Sequence, residues 1–211
     1  MMKSINLNLQ NIGKRFNREW VFKGVNIQLN GGDRIAVLGS NGSGKSTIAK
    51  IMSGFVIPSE GSVQLTVDNK LIHTDQYYQY LSYTAPYLEL PEEFTLSEMV
   101  NFQRKLRPFI NAPSTSEIIQ KLGMEKQMHK SIVLFSSGMK QRLKLLLALI
   151  SEAAITILDE PTVNLDQQGI AWYRQLITEC NSDKIIIVCS NHQSDEFDFC
   201  SQQLLIEEYK S

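Results

Sequence analysis

The sequence predicts an α/β fold: a mainly parallel sheet with helices on both faces, an antiparallel β subdomain at its N-terminal end and an inserted α-helical subdomain. Three observations lead there. Short apolar runs at 35–38, 155–158 and 184–189 read as buried strands and alternate with helix patterns, which implies parallel pairing. Earlier segments alternate apolar and polar residues, as half-buried strands do. From Pro86 the character changes to helix signals joined by loops.

Taken in order, Ile5, Leu7 and Leu9 alternate with polar residues and 21–29 does the same, giving two strands that flank 13–19. Residues 30–33, Asn-Gly-Gly-Asp, make a turn. After strand 35–38 a helix runs from Lys45 to about Ser53, then 58–61 turns the chain into a strand at 62–67, and 79–84 is one more short strand. Helices are predicted at 95–106 and 114–122, the second opened by a capping box of Ser114 and Glu117, with Pro108 and Pro113 bracketing the loop between them. A Leu-rich helix follows at 136–151, then strand 155–158, helix 167–179 and strand 184–189. The 211 residues make one domain, with 1–86 and 135–211 as core plus β subdomain and 87–134 as the helical lobe.

Between strand 35–38 and the helix at Lys45 lie Gly39, Ser40, Asn41, Gly42, Ser43 and Gly44, followed by Lys45, Ser46 and Thr47. This is the pattern of a phosphate-binding loop, GxxxxGK[ST], in the strand-to-helix context it needs. The glycines let backbone N–H groups turn inward where a Cβ would collide with phosphates, and the helix N-terminus behind them adds positive potential. Lys45 reaches the β- and γ-phosphates, and the Ser46 hydroxyl ligates Mg²⁺. Strand 155–158 runs into Asp159 and Glu160. In a parallel sheet its C-terminal end lies beside the loop, so Asp159 is placed to hold Mg²⁺ through water and Glu160 to polarise the water attacking the γ-phosphate.

The net charge of −1 and the lack of a dense basic run argue against a protein living mainly on nucleic-acid backbone, though not against a local basic patch, and no nucleic-acid partner is expected. Cys180, Cys189 and Cys200 are odd in number without a CxxC pair, which fits a reducing compartment better than a disulfide framework or zinc site. Residues 1–6 enter an alternating strand directly, with no signal core, and no run is long enough to span a bilayer. A soluble chain is expected, one whose membrane role needs a partner.

With these motifs in place, the chain resembles the nucleotide-binding subunit of an ATP-binding cassette (ABC) transporter over essentially its whole length. Phe135-Ser136-Ser137-Gly138-Met139 resembles the family signature LSGGQ: Ser136 and Gly138 match, and Phe135, Ser137 and Met139 depart. The resemblance implies a P-loop NTPase (RecA-like) core that binds ATP and Mg²⁺ and hydrolyses ATP. It implies that the Ser136, Ser137 and Gly138 loop grips the γ-phosphate of ATP bound to another subunit, and that Asp166, in the stretch Pro161-Thr162-Val163-Asn164-Leu165-Asp166, crosses the dimer interface. His192, in Ser190-Asn191-His192, matches the switch histidine that contacts the γ-phosphate. Phe16 takes the place of the adenine-stacking aromatic, with Trp20 as competitor. His73 and His129 lack such context. Where the family has a glutamine reaching Mg²⁺, this chain has Pro86, which cannot ligate.

The partners implied are a second ATP-binding subunit, identical or homologous, and a separately encoded transmembrane permease docking near 86–90, with Tyr87 and Leu88 as contact residues. Core packing is the competing role for that pair. The implied place is cytoplasmic, peripheral on the cytoplasmic membrane face through that permease. Two other functions are compatible with the motifs: a soluble ABC-type ATPase outside transport, and a regulatory module that binds ATP with little hydrolysis, the latter motivated by Pro86.

Overall fold

Strict alternation of buried and half-exposed residues over 5–9 makes the first strand amphipathic, and it finds partners on both sides. The computed structural model describes residues 4–180 and 182–210. Met1, Met2 and Lys3, part of the segment considered for a leader, lie outside them. In chain order the elements are β1 (Ile5–Phe16), β2 (Glu19–Asn30), β3 (Arg34–Leu38), α1 (Lys45–Met52), β4 (Glu60–Val67), β5 (Lys70–Ile72) and β6 (Leu81–Thr84). Then come α2 (Leu96–Leu106), α3 (Thr115–Leu122), α4 (Ser137–Ile150), β7 (Ile155–Asp159), α5 (Gln167–Glu179), β8 (Ile185–Ser190), α6 (Ser194–Phe197) and β9 (Gln202–Leu205). Short 3₁₀ turns lie at 74–79, 125–127, 132–134 and 206–209.

The chain divides into two units. The first comprises Met1–Tyr83, Ala153–Glu160 and Asn181–Ser211; the second comprises Thr84–Glu152 and Pro161–Cys180. Two sheets build the first unit. One has the order β2-β1-β4-β5, antiparallel at each pairing, and the other the order β6-β7-β8-β3-β9, with β7–β8, β8–β3 and β3–β9 parallel. Leu7, Leu29 and Leu65 from the first sheet join Val37, Ile157 and Ile187 from the second, with Ile48 of α1, in one buried core. Side chains of this size contribute about 1.5–3 kcal/mol each when fully buried.

Two differences from the sequence expectation have physical causes. The stretch 13–19 is the tip of one long hairpin rather than a spacer between strands: Phe16 pairs with Glu19, and Asn17 takes the left-handed φ of 54° that closes the turn. The strand expected at 79–84 starts only at Leu81, because the Tyr77 hydroxyl accepts from Leu65 N–H at 3.0 Å and donates to the Val63 carbonyl at 3.2 Å, holding 74–79 as a 3₁₀ turn.

The second unit is helical. Leu96, Val100, Ile118, Leu122, Leu143, Leu146, Tyr173 and Ile177 are its buried side chains at helical spacing. Capping boxes open both α2, with Thr95 and Glu98, and α3, with Ser114 and Glu117. Among the described residues no helix is long and apolar enough to cross a membrane.

Candidate nucleotide site

Three neighbouring strands set the site. Leu38 at the end of β3 stands opposite Ser190 at the end of β8, and Asp159 at the end of β7 stands opposite Cys189. The loop 39–44, the pair Asp159 and Glu160, and Asn191 with His192 therefore leave the same edge of the parallel sheet, where ligands collect in such folds.

The loop's glycines are required for two different reasons. Gly42 has φ of 77° with open space around a would-be Cβ, so its need is backbone freedom. Gly44, at φ 110°, would place a Cβ 2.8 Å from Val21 and 3.0 Å from Phe22, so the β subdomain's hairpin packs against the loop from behind. The Ser43 hydroxyl is fully buried with no hydrogen-bond partner among the described residues, a donor left over inside an anion cradle. Lys45 is 4% exposed, and its Nζ donates to the Gly39 carbonyl at 2.8 Å and the Ser40 carbonyl at 3.1 Å. Asn41 is exposed, and Ser46 and Thr47 are half-buried in the first turn of α1. Backbone N–H groups at a helix start, a spare hydroxyl and a buried ammonium fit a polyphosphate.

Asp159 is 2% exposed, and its Oδ2 accepts from the Tyr83 hydroxyl at 3.2 Å. Tyr83 carries no local signal for this role in the sequence, since it lies 76 positions from Asp159. Glu160 and His192 both sit at left-handed φ, 46° and 57°, a strained backbone for non-glycine residues that clusters at functional sites. The Glu160 N–H donates to the Cys189 carbonyl at 2.9 Å, which ties its turn to β8. Burial pushes the Cys189 thiol well above its usual range; the Asp159 carboxylate adds to this while the Lys45 ammonium opposes it. The thiol is therefore an inert floor. An Asp carboxylate and a Ser hydroxyl are the hard oxygen donors that suit Mg²⁺.

At the hairpin tip Phe16 is 53% exposed, while Trp20 is engaged by two cations, with Lys23 Nζ 3.9 Å and the Arg15 guanidinium 5.4 Å from its ring centroid. His73, in the first unit, bonds Asp75 at the surface, and His129, in the second, is exposed.

In the second unit, Ser136 caps α4, its hydroxyl accepting from Met139 N–H at 3.2 Å, with Ser136 and Ser137 exposed and Phe135 buried. Phe135 thus keeps an apolar anchor beneath the exposed helix start. Asp166 caps α5 by accepting from Gly169 N–H at 2.7 Å. The two loops touch: a Cβ on Gly138 would lie 2.8 Å from the Asn164 carbonyl oxygen, and Gln141 donates to the Pro161 carbonyl at 2.9 Å. Tyr87 and Leu88 are exposed at 50% and 39%.

Comparison with known proteins agrees with this geometry. The family model described as ABC transporter matches residues 22–163. An ABC transporter ATP-binding protein of Bacillus subtilis, YybJ, is 27% identical over 192 residues, covering 90% of this chain and 87% of that protein. The lantibiotic transport ATP-binding protein SrtF of Streptococcus pyogenes is 30% identical over 196 residues, covering 88% and 80%. Among solved structures, an ATP-binding cassette captured as a dimer in a post-hydrolysis state with ADP and Pi has the same fold, with a TM-score of 0.78, 22% identity and 95% of each chain covered. The chain belongs to the ABC transporter family, in which it is an ATP-binding, ATP-hydrolysing subunit.

Proposed function

We propose that this chain binds and hydrolyses ATP by closing head to tail with a second ATP-binding subunit, a copy of itself or a homologue, and that closure drives a separately encoded transmembrane permease. One observation carries the reading: β7, β8 and β3 are consecutive neighbours, so the loop 39–44, Asp159, Glu160 and His192 leave one edge of one sheet.

Backbone N–H groups between Asn41 and Thr47 hold the phosphates, those of Gly39 and Ser40 being bonded to Ser190 and Glu207, and Lys45 keeps its place on the loop carbonyls while its ammonium reaches the β- and γ-phosphates. Phe16 stacks on the adenine. Ser46 and Asp159 hold Mg²⁺, which when bound offsets charge on the phosphates. Glu160 accepts a proton from the attacking water as the bond between the γ-phosphorus and its bridging oxygen breaks, and His192 contacts the γ-phosphate and helps hold that water. From the other subunit, Ser136, Ser137 and Gly138 present a helix N-terminus to the same γ-phosphate, and Asp166 crosses the interface. The charge shared between both subunits favours closure, and hydrolysis releases it. The dimeric state of the similar solved cassette supports this arrangement.

The whole chain acts as one ABC ATP-binding domain, with 87–134 as the helical lobe between core segments 1–86 and 135–211. The exposed Tyr87 and Leu88 support docking of the permease at 86–90, and in this reading the protein is peripheral on the cytoplasmic membrane face through that partner. Steady-state ATPase activity and light scattering test the reading together. Glu160→Gln is expected to lower turnover by about 10²–10⁴-fold while giving a dimer that appears only with Mg-ATP. Turnover unchanged by Glu160→Gln would overturn the catalytic assignment, and ATP binding without turnover in the natural protein would replace it with the regulatory reading.

A further inference from the structure

The ladder between β3 and β9 ends with Leu38 opposite Leu205, and two residues past each strand end Ser40 meets Glu207 of the 3₁₀ turn 206–209. Glu207 Oε1 accepts from the Ser40 N–H at 2.9 Å and from the Ser40 hydroxyl. The carbonyl of the peptide between Gly39 and Ser40 accepts from Lys45 Nζ at 2.8 Å. This peptide is trans, so its C=O and N–H point in opposite directions. Lys45 and Glu207 therefore hold one peptide plane from its two sides. Glu207 lies behind the loop, away from the face its carbonyl shows to the lysine.

We propose that Glu207 is a positioning residue for ATP binding, acting on Lys45 through the peptide between Gly39 and Ser40. A carboxylate accepting from the N–H makes the carbonyl of the same peptide a better acceptor, and it fixes the plane's rotation. Lys45 is thereby held extended along the loop before nucleotide arrives, which lowers the ordering cost at binding. The groups facing Glu207 keep it ionised: the Ser40 hydroxyl first, then the Ser40 N–H, with Lys210 and His192 adding to them. A carboxylate on an exposed turn would otherwise be a poor choice beside a polyphosphate site, since its charge repels the ligand. Its two bonds to Ser40 are what give it a use there.

The inference rests on the ATP-binding reading, and the test separates the two. Binding of a fluorescent ATP analogue with Mg²⁺ is measured for the natural protein, Glu207→Ala, Glu207→Gln, Lys45→Ala and the double variant Lys45→Ala/Glu207→Ala. Glu207→Ala is expected to weaken binding about tenfold, the effect of losing the charge-assisted bond to the Ser40 N–H, the one of its two bonds that acts on the peptide. Glu207→Gln, which keeps an acceptor, recovers most of that. In the Lys45→Ala background the Glu207 substitution costs nothing further, a result that a merely structural role would not give. Equal losses in both backgrounds, unchanged binding, or tighter binding, which would mark Glu207 as a competing anion, each overturn the proposal. If the natural protein and Lys45→Ala bind alike, the reading of Lys45 as a phosphate contact fails. The link is then read without nucleotide, from the Ser40 amide and Lys45 ammonium NMR signals: both shift in Glu207→Ala if it holds, and a Lys45 signal that stays put overturns it.

Discussion

Lys144 on α4 donates to the carbonyl of Pro86 at 3.1 Å, and the same ammonium reaches the carbonyls of Ala85 at 2.9 Å and Leu88 at 3.2 Å. Three donors on one nitrogen meet three acceptors on one turn. Pro86 has a fixed φ and no N–H, so the turn is held by its carbonyls instead, and burial lowers the pKa of the ammonium that holds them. The segment expected to meet the permease is thus fastened to the helix that Ser136 caps.

Lys144→Met keeps the apolar stem and removes the donors. It is expected to cost ~1 kcal/mol for the lost hydrogen bonds and to speed amide hydrogen exchange over 85–90, while nucleotide binding at 39–47 stays unchanged. Mass-spectrometric exchange on the natural and variant proteins checks it. Unchanged exchange over 85–90 would show that the proline alone stiffens the turn.

The capping boxes of α2 and α3 make stability depend on pH. The Thr95 N–H and hydroxyl lower the pKa of Glu98, and the Ser114 hydroxyl and N–H lower that of Glu117. A carboxyl with a lowered folded-state pKa contributes stability that is complete above its unfolded pKa, about 4.3 for Glu. That contribution is lost as pH falls through the lowered folded-state value. Ser114→Ala should cost about 1 kcal/mol at neutral pH as a lost N-cap, and less in acid. Thermal melts from pH 3 to 7 should show the gap between variant and natural protein closing at the acid end.

These two boxes also show what was legible in the sequence and what was not. Ser114 with Glu117 reads as a capping box from spacing alone, and Thr95 with Glu98 has the same spacing and forms one too. The phosphate loop, the acidic strand end and the histidine turn were legible because each is a short string joined to an apolar strand. Strand β9 was not. Gln202 and Gln203 make it polar at its start, it is only four residues long, and its partner β3 lies far back in the chain. Lys144, Tyr83 and Glu207 share that limit, since each acts across 56 to 167 residues on a partner that no local pattern names.

Gly138 is a glycine for a reason outside its own helix. A Cβ there would lie 2.8 Å from the carbonyl oxygen of Asn164, a backbone atom of a residue itself at φ 66°. Backbone cannot give way as a flexible side chain would, so Gly138→Ala should push apart the loop starting α4 and the loop before Asp166. ATP binding at Lys45 is expected to persist, with circular dichroism unchanged, while ATP-dependent dimerisation and turnover fall together. Retained dimerisation would mean that the two loops tolerate separation.

The last prediction distinguishes two aromatics four residues apart in one hairpin. Trp20 packs over Gly13, where a Cβ would come within 3.0 Å of its ring, and it is flanked by Arg15 and Lys23, so its faces are committed. Phe16 is exposed at the end of β1, with Lys14 Nζ 5.0 Å from its ring centroid. Stacking of a base on an aromatic ring is worth about 1–3 kcal/mol, and the exposed position favours the lower end. Phe16→Ala should therefore raise the KM for ATP roughly fivefold, by the usual conversion of 1.4 kcal/mol per factor of ten, with kcat little changed, because the ring is far from the bond that breaks. Trp20→Ala should instead lower the melting temperature and leave KM nearly unchanged. Measuring both variants against ATP and GTP also tests the mode of recognition: a stacked ring accepts either purine, so Phe16→Ala should weaken both to the same extent. If Trp20→Ala raised KM and Phe16→Ala did not, the nucleotide would stack on Trp20, between or in place of the two cations that now cover it.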